Sequence, residues 1–426
     1  MSNIQYITIG QLADMPLDPG RYTRIMPCKH LKYDAPGVDG LGLVSVSLLV
    51  PESAVLFVAP PGCARHVAMR AYERGNHERL FLLRVSESEL VAGTHLDKIP
   101  DAIEQILKEH GSWLKALSIC SSCVDTVLAS DYETLAKKME ARFGIRMRAS
   151  YMDPIMFDHQ KSPDNRIQSS VYSFIESDGQ KDGGVNVIGG FRLPPEDCEL
   201  HQILKDCGIG PIRHICQSKT LEEMDELSRS QLNIVMNPPA KHAAGEMKKK
   251  LGIPTLMMPV RYDPDRISEG YRSLEKALNI TIDDSAYKAR AEEMLRQGAV
   301  ALKDKHIAIG KSIRGNIFEL ARTLSSYGYH IDVLIKNKIT PNDVDNIRWL
   351  ADNMPHIQVY AGDHPTQIYM RDHHEPLDIA IGADAAYFYP EAKAIHYPAG
   401  KEIFGYQGII SLVQELMQAA EEGDRQ

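Results

Sequence analysis

Short runs of apolar, mostly β-branched residues alternate with amphipathic segments of helical period along the whole chain. One unit comes three times: a strand, a polar or glycine-bearing loop, a helix and usually a short closing strand. The three opening strands lie at residues 114–119, 232–236 and 377–382. Strands that alternate with helices pair in parallel, because each helix carries the chain back across the sheet. The sequence therefore predicts an α/β fold with parallel sheets flanked by helices on both faces.

The repeated unit also predicts how the chain divides. Companion strand-and-loop units precede the second and third copies, at residues 185–190 and 306–310. We therefore expect three Rossmann-like domains, of which the last closes with a helix over residues 407–420. The predicted domains are residues 1–180, residues 181–285 and residues 286–426.

The overall charge disfavours one class of partner. The 426 residues carry 48 Lys and Arg against 57 Asp and Glu, a formal net charge of −9. No dense basic tract occurs, so we expect no nucleic-acid partner. The opening residues MSNIQYITIG lack the basic and apolar regions of a signal peptide, and no stretch reaches the roughly 18 apolar residues of a membrane helix. We therefore expect a cytoplasmic protein with no membrane partner.

The seven cysteines indicate thiol or metal chemistry rather than disulfides, because their number is odd and no export signal is present. Cys63 follows an apolar strand at a Pro-Gly corner, and Cys120 comes directly after another strand. The carboxyl ends of parallel strands meet at one sheet edge, and Cys28 lies in a loop that can fold over that edge. Three convergent thiols suit metal or redox chemistry. The alternative is that each cysteine is a small buried apolar residue.

The tetrad Cys120-Ser121-Ser122-Cys123 is open to a second interpretation. Cys-x-x-Cys at a helix start is typical of thioredoxin-like redox proteins, and a pair of such tetrads makes a zinc ribbon. No second tetrad occurs in the sequence, so a zinc site here needs scattered ligands such as His30 or His66.

The three remaining cysteines are interpreted as packing residues. Cys198 and Cys207 lie nine positions apart, which on a predicted helix places them on opposite faces, so they cannot share a ligand. Cys216 is interpreted in the same way.

Glycines follow two other predicted strands, at Gly189-Gly190 and at Gly310. Glycine in such a loop lets a backbone approach a phosphate, but neither loop extends to the G-x-G-x-x-G or G-x-x-x-x-G-K-[ST] pattern. We therefore interpret both as tight strand-to-helix turns.

The order of these features resembles component 1 of nitrogenase and its relatives. Those relatives include protochlorophyllide and chlorophyllide reductases, the nitrogenase cofactor scaffold pair, the reductase of nickel-tetrapyrrole synthesis and methylthio-alkane reductases. The resemblance covers nearly the whole chain, including the three-domain layout. It rests on Met26-Pro27-Cys28, Pro61-Gly62-Cys63, the strand-terminal Cys120 and the closing Phe404-Gly405-Tyr406-Gln407-Gly408 ahead of a helix.

That resemblance implies an iron–sulfur protein that reduces its substrate with electrons from a separate iron protein. The iron protein, not this chain, uses ATP. The implied cluster ligands are Cys28, Cys63 and Cys120, with Cys123 as the alternative to Cys120, and the implied cluster is of the 4Fe-4S type at a subunit interface. The implied assembly is a homodimer or a pair with a homologous subunit, and the implied reaction is low-potential reduction of a small or tetrapyrrole-like substrate.

The sequence also departs from the nitrogenase pattern. Nitrogenases hold their metal cofactor with a cysteine after the second-domain strand and a histidine upstream of the closing motif. Asn237 matches that cysteine and His396 lies close to the histidine. An amide is a poor ligand for a soft iron centre, so we do not expect nitrogen fixation with the standard cofactor. The candidate substrate-side residues are Asn237, Lys241, Arg314 and His396.

Two other functions stay open at this stage. The first is a scaffold on which a metal cofactor is assembled, which would share the cysteines and lack turnover. The second is a metal-free Rossmann-type sugar-nucleotide enzyme. Iron content separates the second from a cluster protein, whereas a product assay with the iron protein separates a scaffold from a reductase.

Overall fold

The structure is a computed structural model, and its contacts divide the chain into two compact units. The terminal unit contains residues 1–39, 194–207 and 260–426, and the central unit contains residues 40–193 and 208–259. The structure describes residues 4–16, 22–28, 30–33, 46–73, 75–152, 163–190, 192, 194–195, 197–372, 374–395 and 403–423.

Strands and helices alternate through both units, as the sequence predicts. The strands of the described residues are β1 (Ile7–Thr8), β2 (Thr23–Arg24), β3 (Ser53–Ala59), β4 (Leu80–Arg84), β5 (Ala116–Ser121), β6 (Arg146–Tyr151), β7 (Val185–Ile188), β8 (Ile212–His214), β9 (Leu232–Val235), β10 (Thr255–Met257), β11 (His306–Ile309), β12 (His330–Ile335), β13 (Lys338–Ile339), β14 (Gln358–Tyr360), β15 (Ile379–Ile381) and β16 (Lys393–Ile395). The α-helices of the same residues are Ile9–Ala13, Pro61–Glu73, Glu87–Ala92, Ile99–His110, Cys123–Val127, Tyr132–Phe143, Pro163–Ser173, Glu199–Asp206, Leu221–Asp225, Lys241–Leu251, Pro264–Leu278, Ser285–Ala301, Ile317–Ser326, Val344–Asn353, Ala383–Phe388 and Gly405–Gly423. None of these described helices combines the length and the apolar character needed to cross a membrane.

The central unit contains two parallel four-stranded sheets. The first has the strand order β4-β3-β5-β6 and the second has the order β10-β9-β7-β8. Every residue of β3 is buried. Its alternate side chains belong to two different apolar clusters, one of which contains Leu56 and the other Phe57. Because successive strand residues point to opposite faces, both faces of the first sheet are covered.

The terminal unit contains a six-stranded sheet with the order β1-β14-β12-β11-β15-β16. Its strands are parallel except β1, which pairs antiparallel with β14. A separate antiparallel pair joins β2 to β13. The N-terminal strands therefore pair with strands that come more than 300 residues later, and the segment that carries Cys28 lies in the terminal unit.

The predicted fold class is confirmed: the chain is α/β, with parallel sheets flanked by helices. The three parallel sheets come from residues 53–151, 185–257 and 306–395, apart from the added strand β1. The predicted domain boundaries at residues 180 and 285 stay a prediction. The closing helix, expected over 407–420, runs from Gly405 to Gly423.

Candidate functional site

Cys63 and Cys123 come from the same edge of the first sheet. Strands β3 and β5 are parallel neighbours, with Phe57 opposite Cys120 and Val58 opposite Ser121. Cys63 lies in the first turn of the helix that follows β3, and Cys123 is the first residue of the helix that follows β5. The two thiols therefore start at the carboxyl ends of adjacent strands, where open α/β sheets bind their ligands.

Cys63 is partly accessible. Its side chain is partly exposed and packs at the margin of an apolar cluster that includes Val67 and Phe57. The first turn of the helix Pro61–Glu73 also places the positive end of the helix dipole near this thiol, which favours negative charge there.

Cys120 differs from Cys63, because its side chain is fully buried. The sequence predicts that the strand ends before Cys120, but β5 continues to Ser121, since Cys120 and Ser121 keep pairing with Ser150 and Tyr151 of β6. Cys120 therefore lies inside the apolar cluster at 0% exposure. Burial, with a smaller contribution from the nearby Asp125 carboxylate, raises the pKa of its thiol to about 12.

Cys123 is partly exposed. It directly follows Ser122, whose backbone is extended as the N-cap of the helix Cys123–Val127. The Cys-x-x-Cys tetrad thus spans a strand end and a helix start, with one thiol buried and the other accessible. This arrangement separates the two cysteines that the sequence leaves as alternatives.

Cys28 lies in the terminal unit, just after β2. The backbone N–H of Ile25 donates to the Asn337 carbonyl at 3.1 Å, which continues the pairing of β2 with β13. The Cys28 side chain is partly exposed. Among the described residues no group of three or more His, Cys, Asp or Glu side chains is arranged to hold a metal ion.

Of the remaining cysteines, Cys198 is buried, whereas Cys207 and Cys216 are partly exposed. Cys198 and Cys207 flank the helix Glu199–Asp206 as its N-cap and C-cap residues, rather than lying within it. Cys198 is buried, and burial raises the pKa of its thiol. The Cys207 thiol donates to the Thr281 carbonyl at 3.4 Å, and Cys216 is partly exposed in a short 3-10 turn.

Asn237 and Lys241 lie beside the topological switch point of the second sheet. The chain leaves β7 toward β8 on one side and returns as β9 on the other, so ligands are expected at the carboxyl ends of β7 and β9. Asn237 follows β9 and is partly buried, whereas Lys241 is exposed at the start of the next α-helix. Gly189, at φ +92°, brings the loop after β7 so close that a Cβ there would lie 3.1 Å from Asn237.

Arg314 belongs to the terminal unit and His396 lies outside the described residues. The backbone carbonyl of Arg314 accepts a hydrogen bond from the Tyr262 hydroxyl, which fixes the loop after β11. Tyr262 is held in turn by the buried Glu319, whose carboxylate accepts from the Tyr262 N–H at 2.8 Å.

The loop after β11 is occupied by a side chain of the protein itself. The buried Asp384 carboxylate accepts hydrogen bonds from the backbone N–H groups of Lys311 (2.9 Å) and Ser312 (3.1 Å) and from the Ser312 hydroxyl (2.6 Å). A Cβ atom on Gly310 would overlap this carboxylate. The amides that a phosphate would need are therefore already used, which supports the interpretation of Gly310 as a tight turn.

The closing motif is held by a buried glutamate that the sequence analysis missed. Glu199 is 2% exposed and accepts from the backbone N–H groups of Tyr406 (2.6 Å) and Gln407 (3.1 Å) and from the Tyr271 hydroxyl (2.8 Å). Burial raises the pKa of Glu199, and the three donors oppose that shift. Gly405, at φ +61°, is required because a Cβ there would overlap the carboxylate.

A second missed feature is a buried hydrogen-bonded pair at the helix that follows the Cys-x-x-Cys tetrad. His95 Nε2 lies 2.7 Å from Asp125 Oδ1, and the two side chains are 1% and 2% exposed. The signal in the sequence is weak, because an aspartate two positions after a cysteine is common on solvated helices. Only the tertiary structure shows that this aspartate is buried.

Solved nitrogenase structures share this fold. A structure of nitrogenase Cp1 at pH 6.5 superposes with a TM-score of 0.72 at 15% sequence identity, covering 93% of this chain and 95% of that chain. A structure of nitrogenase Cp1 at pH 5 superposes with a TM-score of 0.61 at 16% identity, covering 94% and 90%. At such identities the likeness shows the fold alone.

Two relatives from Clostridium pasteurianum match part of the sequence. The nitrogenase iron-molybdenum cofactor biosynthesis protein NifE is 25% identical over 216 residues, which are 48% of this chain and 46% of that protein. The nitrogenase molybdenum-iron protein alpha chain is 22% identical over 232 residues, which are 54% of this chain and 42% of that protein. The chain thus spans less than half of the length of either relative.

The family assignment comes from a match along most of the sequence. Residues 40–421 match the family described as nitrogenase component 1 type oxidoreductase. That stretch contains Cys63, Cys120 and Cys123 and all three parallel sheets. The chain therefore belongs to the nitrogenase component 1 type oxidoreductases.

Proposed function

We propose that this chain is the catalytic component of a nitrogenase-like reductase, a cytoplasmic iron–sulfur protein that receives electrons from an ATP-hydrolysing iron protein. The observation that carries the proposal is the pair of accessible thiols at one sheet edge, Cys63 and Cys123, each at the start of a helix after neighbouring strands. Membership of a family that binds iron–sulfur clusters gives this pair its chemistry. A bound cluster would supply a site that accepts and passes on single electrons.

Cys123 is the better third ligand, in preference to Cys120. A ligand sulfur must reach the surface on which a cluster sits, and Cys120 has no exposed surface and is enclosed by apolar side chains. Cys123 is partly exposed, and both it and Cys63 lie where a helix dipole favours a negative group. The donor set of Cys63 and Cys123 therefore fits the thiolate preference of iron–sulfur clusters.

Cys28 completes the proposed ligand set on the strength of the resemblance. Cys28, Cys63 and Cys123 supply one thiolate fewer than a cubane cluster usually takes. We therefore propose a 4Fe-4S cluster that takes three ligands from this chain and its fourth ligand from another subunit.

The edge around these thiols also suits a partner. Val127, which ends the helix that begins at Cys123, is 71% exposed. An exposed apolar side chain beside a cluster site supports a homodimer or a pair with a homologous subunit.

On the substrate side we propose Asn237, Lys241, Arg314 and His396, each after a strand of the second or third sheet. Lys241 and Arg314 suit an anionic group of the substrate, and Asn237 suits a carbonyl or an amide. The reaction class is low-potential reduction of a small or tetrapyrrole-like substrate.

A cofactor-assembly scaffold is the second candidate, because one relative is a cofactor biosynthesis protein. A sugar-nucleotide enzyme is disfavoured, since Asp384 already uses the loop amides after β11. A product assay with the iron protein separates a reductase from a scaffold: both hold iron, but only the reductase turns over.

Anaerobic purification with full iron supply tests the central claim. We expect iron and acid-labile sulfide in the wild type, loss of both in Cys63→Ala and Cys123→Ala, and retention in Cys120→Ser. The matched controls Cys198→Ser, Cys207→Ser and Cys216→Ser should keep the iron. Wild-type protein without iron and sulfide contradicts the proposal, and a normal cluster in Cys123→Ala returns the third ligand to Cys120.

A further inference from the structure

A buried hydrogen-bonded pair, His95 and Asp125, lies at the helix that begins at Cys123. His95 Nε2 donates to Asp125 Oδ1 at 2.7 Å, since a carboxylate only accepts. The Ser122 hydroxyl reaches the second carboxylate oxygen at 3.5 Å. His95 comes from the 3-10 turn Thr94–Lys98, so the pair ties two separate segments of the central unit together.

The pair is costly to bury. Polar side chains are stable in a core only when their polar atoms are hydrogen-bonded. Three neighbouring buried atoms, His95 Nδ1, Ser121 Oγ and Thr126 Oγ1, have no hydrogen-bond partner among the residues that the structure describes. A polar cluster that is only partly satisfied is costly in a core, which points to a role beyond packing.

The helix Cys123–Val127 needs an external support. It has five residues, and isolated helices shorter than about 12 residues are marginal in water. Its N-cap Ser122 makes no side-chain capping hydrogen bond. Asp125 is the third residue of this helix, so its bond to His95 holds the first turn and, with it, Cys123.

We infer that His95 is a positioning residue, which acts through Asp125 to fix the Cys123 thiol for cluster ligation. The inference rests on the proposed function.

The test uses one disruptive variant, one conservative variant and one matched control. His95→Leu removes the donor, His95→Gln keeps an N–H donor, and His306→Leu disrupts an exposed pair in which His306 Nδ1 lies 2.9 Å from Asp332. Iron per chain and the electron paramagnetic resonance spectrum of the reduced protein are measured anaerobically. The rate of Cys123 alkylation by iodoacetamide is measured in metal-free protein by peptide mass spectrometry.

We expect folded His95→Leu protein to retain less than half of the wild-type iron, to show altered g values and to alkylate faster at Cys123. His95→Gln should restore all three readouts, and His306→Leu should match the wild type. Unchanged iron, spectrum and alkylation in His95→Leu overturn the inference.

Asp125→Ala removes the acceptor of the His95 hydrogen bond, so it tests the inference if His95→Leu does not fold. Its Cys123 should alkylate faster than that of the wild type, and an equal rate overturns the inference. Wild-type protein without a cluster contradicts the proposed function instead. Even if the wild type holds no cluster, the alkylation rates of Cys123 in metal-free protein still decide whether His95 positions that thiol.

Discussion

Gly405→Ala should destabilise the terminal unit far more than an ordinary glycine substitution. Gly405 has φ +61°, and this left-handed backbone costs an alanine roughly 1–2 kcal/mol. The new Cβ would overlap the Glu199 carboxylate, which must then leave the amides of Tyr406 and Gln407. Losing one hydrogen bond to a charged acceptor adds about 1.5–3 kcal/mol. We therefore expect the free energy of unfolding to fall by about 2.5–5 kcal/mol.

The matched control is Gly328→Ala. Gly328 also lies in the terminal unit, at φ +97°, but a Cβ there would meet no atom within 4 Å. Its substitution should cost only the backbone contribution, roughly 1–2 kcal/mol. The difference between the two variants isolates the overlap with Glu199.

Urea unfolding followed by tryptophan fluorescence measures both variants. The two tryptophans are Trp113 in the central unit and Trp349 in the terminal unit, so a Trp113→Phe background reports the terminal unit alone. In a Glu199→Ala background the extra cost of Gly405→Ala should disappear, because the overlap is removed. Equal costs for Gly405→Ala and Gly328→Ala would refute the reasoning.

Three further predictions follow from buried or accessible groups. Glu319→Ala leaves Arg261 and Arg266 without their buried carboxylate, so urea unfolding should show that the free energy of unfolding falls by about 3 kcal/mol or more. A fall below about 1 kcal/mol, which is the value of an exposed pair, would contradict this. In metal-free protein at pH 8, iodoacetamide should modify Cys63 and Cys123 but not Cys120, which stays a neutral thiol because its pKa is raised to about 12. Peptide mass spectrometry measures the modification of each cysteine. Early modification of Cys120 would contradict this prediction, because it would show that Cys120 is accessible. Asp384→Ala frees the loop amides after β11, so inorganic phosphate should raise the melting temperature of the variant and not that of the wild type; an equal effect on both proteins would contradict the assignment of this loop.

The elements that the sequence predicts well are those whose signal is local. The strand expected at residues 232–236 is β9, and the strand expected at residues 377–382 contains β15. Both are short apolar runs that end at a glycine or a polar loop, so the pattern of neighbouring residues is enough to place them. The loop expected at Ala383-Asp384 was wrong, because the α-helix Ala383–Phe388 begins directly after Gly382.

The strand ends and the pairing of the N-terminal strands depend on distant residues. Ile7 pairs with Val359, and Thr23 pairs with Ile339. Two-residue strands carry almost no periodicity, so nothing near residue 7 or 23 indicates these partners. Cys120 is a similar example, because the neighbouring strand β6 extends β5 past the apolar run and draws the thiol into the core.

Three buried carboxylates of the terminal unit show why its loops cannot be interpreted from sequence alone. Asp384, Glu319 and Glu199 are 1%, 0% and 2% exposed, and each accepts one or two backbone N–H groups from a loop or a helix start more than 50 residues away. A nucleotide-binding protein leaves such amides free for a phosphate. Here the protein satisfies them itself, so the loops are fixed before any ligand arrives and the backbone offers no cradle for an anion at these positions. Under the proposed function, side chains such as Arg314 rather than these backbone amides would contact the substrate in this unit, as expected for a reductase or a scaffold rather than for a sugar-nucleotide enzyme.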